Sequence, residues 1–272
     1  MQRFIKALAA GVLLLSAAAA PNLAYAQTLK VGGTGAVTEL LRQLAPAFSA
    51  QSGIALEVIP SLGTSGANSA VADGVIGLSV AGRDLKEKEV AKGLRVATTL
   101  RTPFGLVTSR PGPDNLNIDE IAGLYRADKP VWPDGTPILI ILRPVDESDN
   151  LVLASVFPGM AESIEHMRGR PDISIAATDQ DNAEAAEKAE GSLVGATLTQ
   201  MTTEKRDLRF VAIDGVVPSV ENVANGSYPY EKTLYLVVPA EIGPEAAAFL
   251  SFIETDAGEA LLRDAGIVAG AP

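Results

Sequence analysis

Cysteine is absent from all 272 residues, so neither a disulfide framework nor thiolate chemistry is available. Histidine occurs once, at His166, among Glu165, Met167 and Arg168 on a polar, helix-like stretch. A surface position is expected there, and one such histidine builds neither a Cys-His pair nor a Ser-His-Asp set. No His and carboxylate cluster has metal-ligand spacing, so no metal, no cofactor and no enzymatic activity are expected. Positive charge is also in short supply: 22 Lys and Arg against 33 Asp and Glu give a net charge of −11 at pH 7. That balance argues against nucleic acid and against anionic membrane surfaces. It leaves room for a small anion, whose site needs only local N–H groups and one or two arginines.

Long apolar runs are missing too, with one exception at the start. Arg3 and Lys6 precede an alanine- and leucine-rich stretch over 7–20, and Ala24-Tyr25-Ala26 is a small-x-small cleavage site before Gln27. This pattern predicts a cleavable signal peptide over 1–26 and a periplasmic protein. The apolar run is short for a membrane span, and no cysteine stands at the cleavage point to carry a lipid. The remainder is long enough for one large domain or two lobes.

What is present is organised around residues 28–49. A short strand, Thr28-Leu29-Lys30-Val31, runs into Gly32-Gly33-Thr34-Gly35 and then a helix with Val37, Leu40, Leu41, Leu44 and Phe48 on one face. Free N–H groups at such a strand–glycine–helix junction can hold an anion, and Gly33, Thr34, Gly35 and Ala36 are the candidates. A merely tight βα turn is the other reading. The device recurs. A strand over 54–60 leads to Gly63-Thr64-Ser65-Gly66 and a helix over 67–72, making Thr64, Ser65 and Gly66 candidates. A third strand over 75–80 ends in Ala81-Gly82-Arg83-Asp84. An arginine there faces the crevice where open α/β sheets bind ligands, unless it pairs on the surface with Asp84 or Glu87.

Strands are predicted over 94–100 and 104–108, broken by Arg101-Thr102-Pro103, and Pro111-Gly112-Pro113 is a rigid connection. The apolar run over 138–142 reads as a buried parallel strand. It delivers Arg143, followed by Ser148, Asp149 and Asn150 and a helix over 151–157. A bidentate cation with a helix N-terminus behind it suits an oxyanion. Asp146, Glu147 and Asp149 are awkward for that reading, and Asp149 could equally be a helix cap. Further strands are predicted over 173–177, 193–196, 210–213 and 234–238, with two closing helices over 244–253 and 257–265. The alternation implies α/β layers with mainly parallel sheets.

Taken together, these segments resemble the phosphate-binding component of bacterial ABC uptake systems, from Leu29 to the C-terminus. The resemblance rests on Gly33-Thr34-Gly35, Gly63-Thr64-Ser65-Gly66, Ala81-Gly82-Arg83-Asp84-Leu85, Leu142-Arg143-Pro144 through Ser148, and Thr178-Asp179-Gln180. It continues through Ile213-Asp214-Gly215-Val216, Glu221 to Pro229 and Leu234 to Val238. It departs from the family where Asp149 and Asn150 replace glycine and threonine after Ser148, and where Gly82-Arg83 replaces a serine-aspartate pair. The resemblance implies a two-lobed type II periplasmic binding protein fold with a ligand cleft between the lobes. Lobe 1 would comprise 27–110 and 217–272 and lobe 2 would comprise 111–216, with crossings near 109–114 and 214–219. It also implies a monomer that captures a small inorganic anion, phosphate first, and delivers it to an inner-membrane ABC permease. Asp84 or Asp149 would accept the phosphate proton. A ligand-binding module that signals through a sensor protein is the second class of function left open.

Overall fold

The computed structural model describes residues 27–268; the expected signal peptide over 1–26 lies outside them. The chain opens with β1 (Thr28–Gly33), a single 3-10 turn (Gly35–Val37) and α1 (Thr38–Ser52). Leu40, Leu41, Leu44 and Phe48 recur at helical spacing and are all buried. The helix stops at Gly53, whose φ of 73° only glycine adopts without cost and whose N–H closes on Ser49 O. β2 (Ala55–Ile59), α2 (Gly63–Ala72) and β3 (Leu78–Ala81) follow, then a short α3 (Glu87–Val90) and the long β4 (Leu94–Thr108). Next come β5 (Asn115–Leu116), α4 (Ile118–Arg126), β6 (Leu139–Leu142), α5 (Ser148–Val156), α6 (Met160–Arg168), β7 (Ser174–Ile175) and α7 (Asp179–Lys188). The chain closes through β8 (Ser192–Thr197), α8 (Leu198–Glu204), β9 (Arg209–Phe210), β10 (Ala212–Ile213), α9 (Val220–Ala224), β11 (Glu231–Pro239), α10 (Pro244–Ile253) and α11 (Asp256–Asp264).

The expected α/β class holds, but the sheet is mixed rather than mainly parallel. Its order is β2-β1-β3-β11-β4-β8-β6-β7, with β9 on β4. The two wings are parallel: β2-β1-β3 on one side and β8-β6-β7 on the other. Between them β11 runs antiparallel to β3 and β4, and β4 antiparallel to β8.

Two large apolar cores sit on these wings. The first gathers Val31, Leu44, Phe48, Leu78, Leu234, Leu236, Phe249 and Phe252. Phe48 meets Phe249 edge-on at 5.3 Å between ring centroids. The second gathers Phe104, Leu106, Trp132, Ile140, Leu142, Phe157, Leu193 and Tyr228. Each such side chain, fully buried, contributes about 1.5–3 kcal/mol.

The two strands expected over 94–100 and 104–108 are one. Pro103 has no N–H to donate, but Phe104 N–H continues the ladder to Tyr230 O at 3.0 Å. β4 passes from one core to the other: Leu100 packs on the first and Phe104 lies in the second. β11 joins the two cores again, with Tyr230 packed on the second and Leu234 in the first. Among the described residues no helix is long and apolar enough to cross a membrane.

Candidate functional site

The most heavily charged buried cluster lies where the ends of β1, β3 and β6 meet α5, α7 and β11. Arg143, carried by the end of β6, is 3% exposed. Its Nη1 donates to Ala176 O at 2.7 Å, and Nη2 lies 3.6 Å from Glu147 Oε2 and 3.7 Å from Asp179 Oδ1. Its Nε is buried with no hydrogen-bond partner. Beside it Lys232, 0% exposed, donates to Asp149 Oδ1. This ion pair ties β11 to α5, and so one core to the other.

Asp149 and Asp179 are both buried and influence each other's charge. Burial raises the pKa of Asp149, but the Lys232 ammonium and then Arg143 outweigh it and hold its carboxyl below the usual range. Burial and then the Asp149 charge push Asp179 up to about 7. Two neighbouring buried carboxyls cannot both ionise cheaply, so the charge on Asp149 opposes ionisation of Asp179. The cluster therefore offers cationic donors and a carboxyl acceptor side by side.

The first-core side closes on this cluster through glycines. Gly33 packs so tightly on Val80 that a Cβ would overlap Val80 O. Thr34 N–H donates to Val80 O at 2.9 Å, while Thr34 Oγ1 is buried without a partner. A Cβ on Gly35 would overlap Asp179 Oδ2, and Gly35 O accepts from Gln180 Nε2 at 2.9 Å. Ala36 is buried in the same 3-10 turn. Thr64 Oγ1 accepts from Gly82 N–H at 2.9 Å, and a Cβ on Gly82 would overlap Ser148 Oγ and come within 2.9 Å of Lys232 Cε. A cavity of about 90 Å³ remains between these parts, walled by Gly35, Leu62, Gly63, Arg143, Glu147, Thr178, Asp179 and Gln180.

Thus Gly33, Thr34, Gly35, Ala36, Thr64, Arg143, Ser148 and Asp149 converge. Of the five other candidates, Arg83, Asp84, Ser65 and Gly66 lie apart from the cluster and Asn150 supports it from behind. Arg83 gives its terminal N–H groups to both Glu89 carboxylate oxygens (2.8 and 2.9 Å), to Ser65 Oγ and to Asp84 O. The ion pair weighed for it with Asp84 or Glu87 is made instead with Glu89, whose carboxyl the Arg83 hydrogen bonds hold at about 2. Asp84 is exposed and caps its own loop through Leu85 N–H. Ser65 and Gly66 are exposed on the first turn of α2, which starts at Gly63 rather than at 67. Asn150 braces the arginine loop, its Nδ2 donating to Pro144 O at 2.6 Å. Likewise α5 begins at Ser148, so Asp149 is not a cap but turns inward to Lys232. His166 is exposed, as its polar surroundings suggest.

Sequence reasoning missed Lys232 altogether, though a signal was there. Lys232, Leu234, Leu236 and Val238 alternate on one face of β11, and all are buried. A lysine in phase with a core face is an inward-pointing charge. Among the described residues no group of histidines, cysteines and carboxylates could hold a metal ion.

Comparisons with known proteins bear on this geometry. Residues 16–257 match the model of the PBP superfamily domain. No curated protein matches the sequence. Among solved structures, a proposed phosphate ABC transporter substrate-binding protein from Clostridium perfringens, with bound phosphate, is similar at a TM-score of 0.77. It is 18% identical, over 90% of this chain and 100% of that one. The periplasmic molybdate-binding protein of Azotobacter vinelandii is similar at 0.59 and 14% identity, over 89% and 100%. The CcmR regulatory domain of Synechocystis PCC6803, in complex with 2-PG, is similar at 0.55 and 14% identity, over 84% and 95%. At these identities the likeness is one of fold.

Proposed function

The chain belongs to the PBP superfamily, and from that premise we propose that it is a periplasmic solute-binding protein that captures a tetrahedral oxyanion, phosphate first, for an ABC permease. The observation that carries this reading is the pairing of Arg143 with a buried carboxyl, Asp179, in the walls of one small cavity. Phosphate still carries a proton at neutral pH, whereas sulfate and molybdate do not. Above about pH 7, where Asp179 is ionised, a site with both a guanidinium donor and a carboxylate acceptor suits the protonated ion and repels the fully ionised ones. The acceptor role expected of Asp84 or Asp149 passes in this reading to Asp179, backed by Asp149. The two cores act as lobes, hinged where β4 and the 230–231 segment cross, and the ligand favours the closed state by touching both.

Calorimetric titration of the purified, ligand-stripped protein with phosphate, sulfate and molybdate tests this. Phosphate should bind and the other two should not. Tight sulfate binding without a phosphate signal would overturn the acceptor argument. The similarity to a regulatory domain supports a second reading, in which the same cleft reports to a sensor protein. Phosphate uptake by a strain lacking the gene separates the two, because only the transport reading expects it to fall.

A further inference from the structure

The small cavity is not a closed box. Ser61, Thr178 and Gln180 belong both to its wall and to the wall of a much larger groove, of about 860 Å³, that runs out between α1, α7 and α8. A site built for a bare ion would end at the ion. We propose that the ligand is a phosphate monoester of a small polyol, with its phosphoryl head in the cavity at Arg143 and its tail in this groove. The inference rests on the oxyanion reading above and deepens it to a ligand class.

The chemistry of the groove selects the tail. Its charged side chains balance, with Glu39, Asp181 and Glu204 against Arg42, Lys205 and Arg206. Arg42 pairs with Glu39 at 3.3 Å, and Arg206 pairs with Glu204 at 2.6 Å and Glu187 at 3.3 Å. A groove with no net charge gives no advantage to a second ionised group on the ligand. Hydroxyls and amides line the rest, from Ser61, Thr178, Gln43 and Gln180. Groups that both donate and accept suit neutral hydroxyls on the ligand.

The junction between cavity and groove is built in an unusual way. Ser61 sits at φ 60°, a conformation rare for a residue with a side chain, and Gly63 follows at φ 62°. Strained backbone of this kind concentrates at ligand contacts. On the opposite wall, Gln180 donates from one amide group to both Gly35 O and Glu204 Oε1, which couples the cavity to the groove.

The test titrates the purified, ligand-stripped protein with inorganic phosphate and with glycerol 3-phosphate. The ester should bind at least tenfold tighter than inorganic phosphate. Arg42→Trp, at an exposed position in the groove, should bring that preference close to one, and Gln43→Trp on the same face provides a second version. Circular dichroism melts confirm that each variant folds. If phosphate binds and the ester does not, or if the preference survives both tryptophans, this inference is overturned while the oxyanion reading stands. If neither ligand binds, the phosphate reading itself fails, and this inference falls with it.

Discussion

Replacing Asp179 by Asn removes an ionisable group from the buried cluster while keeping its size. The sign of the effect follows from linkage. An unfolded aspartate titrates near 3.9, whereas Asp179 in the fold is pushed up to about 7 by burial and by Asp149. Between about pH 4 and pH 7 the folded protein therefore holds one proton more than the unfolded chain. Stability falls as pH rises through that window, by about 1.4 kcal/mol per pH unit and on the order of 4 kcal/mol in all. Glu89 and Asp149 carry shifts of the opposite sign. Their contribution is in place above the unfolded carboxylate range and is lost only in stronger acid, so it stays nearly constant across this window. Urea denaturation of both proteins at intervals from pH 4.5 to 8 measures the slopes. The Asn variant should give a flatter profile and be the more stable protein at pH 7.5. Parallel profiles, or a variant less stable than wild type at pH 7.5, would refute the reasoning.

Arg143→Lys keeps the charge but loses the fork and the hydrogen bond to Ala176 O; calorimetry should show phosphate affinity reduced by about 1–3 kcal/mol. Lys232→Met takes from the buried Asp149 carboxylate its ammonium partner and should destabilise the fold by about 3–5 kcal/mol in chemical denaturation, a loss that adding Asp149→Leu should largely recover. Thr64→Val deprives Gly82 N–H of its acceptor and should cost about 1–3 kcal/mol, read as a lower melting temperature.

The parts of this molecule that were legible in the sequence are those set by local periodicity. The glycine turn into α1 could be read because five apolar positions repeat at helical spacing and the strand before them is short. Fold class and the convergence of Thr34, Gly35, Thr64, Arg143 and Ser148 followed from strand-end positions. Features that depend on distant partners stayed hidden. Arg83 looked poised for a ligand, and its pair, weighed with Asp84 or Glu87, is made six residues on with both oxygens of Glu89, because the short turn of α3 folds Glu89 back over it. Asp149 read as either a ligand acceptor or a cap, because its partner Lys232 lies 83 residues away. Pro103 read as a strand break, since the missing N–H is visible in sequence and the compensating bond from Phe104 is not. Lys232 was the one long-range feature with a local sign, its place in the buried phase of β11.

The passage of β4 and β11 through the sheet also dictates an order of assembly. The second core is drawn from one uninterrupted stretch, Phe104 to Tyr228. The first core needs both Leu29 and Ile267, near opposite ends of the described chain. A chain emerging N-terminus first can complete the second core while the first still waits for β11, α10 and α11. Until then the edge of β3 that β11 will cover stands unpaired, beside apolar surface from α1. Truncation within β11, α10 or α11 is therefore expected to be felt in yield before it is felt in ligand affinity.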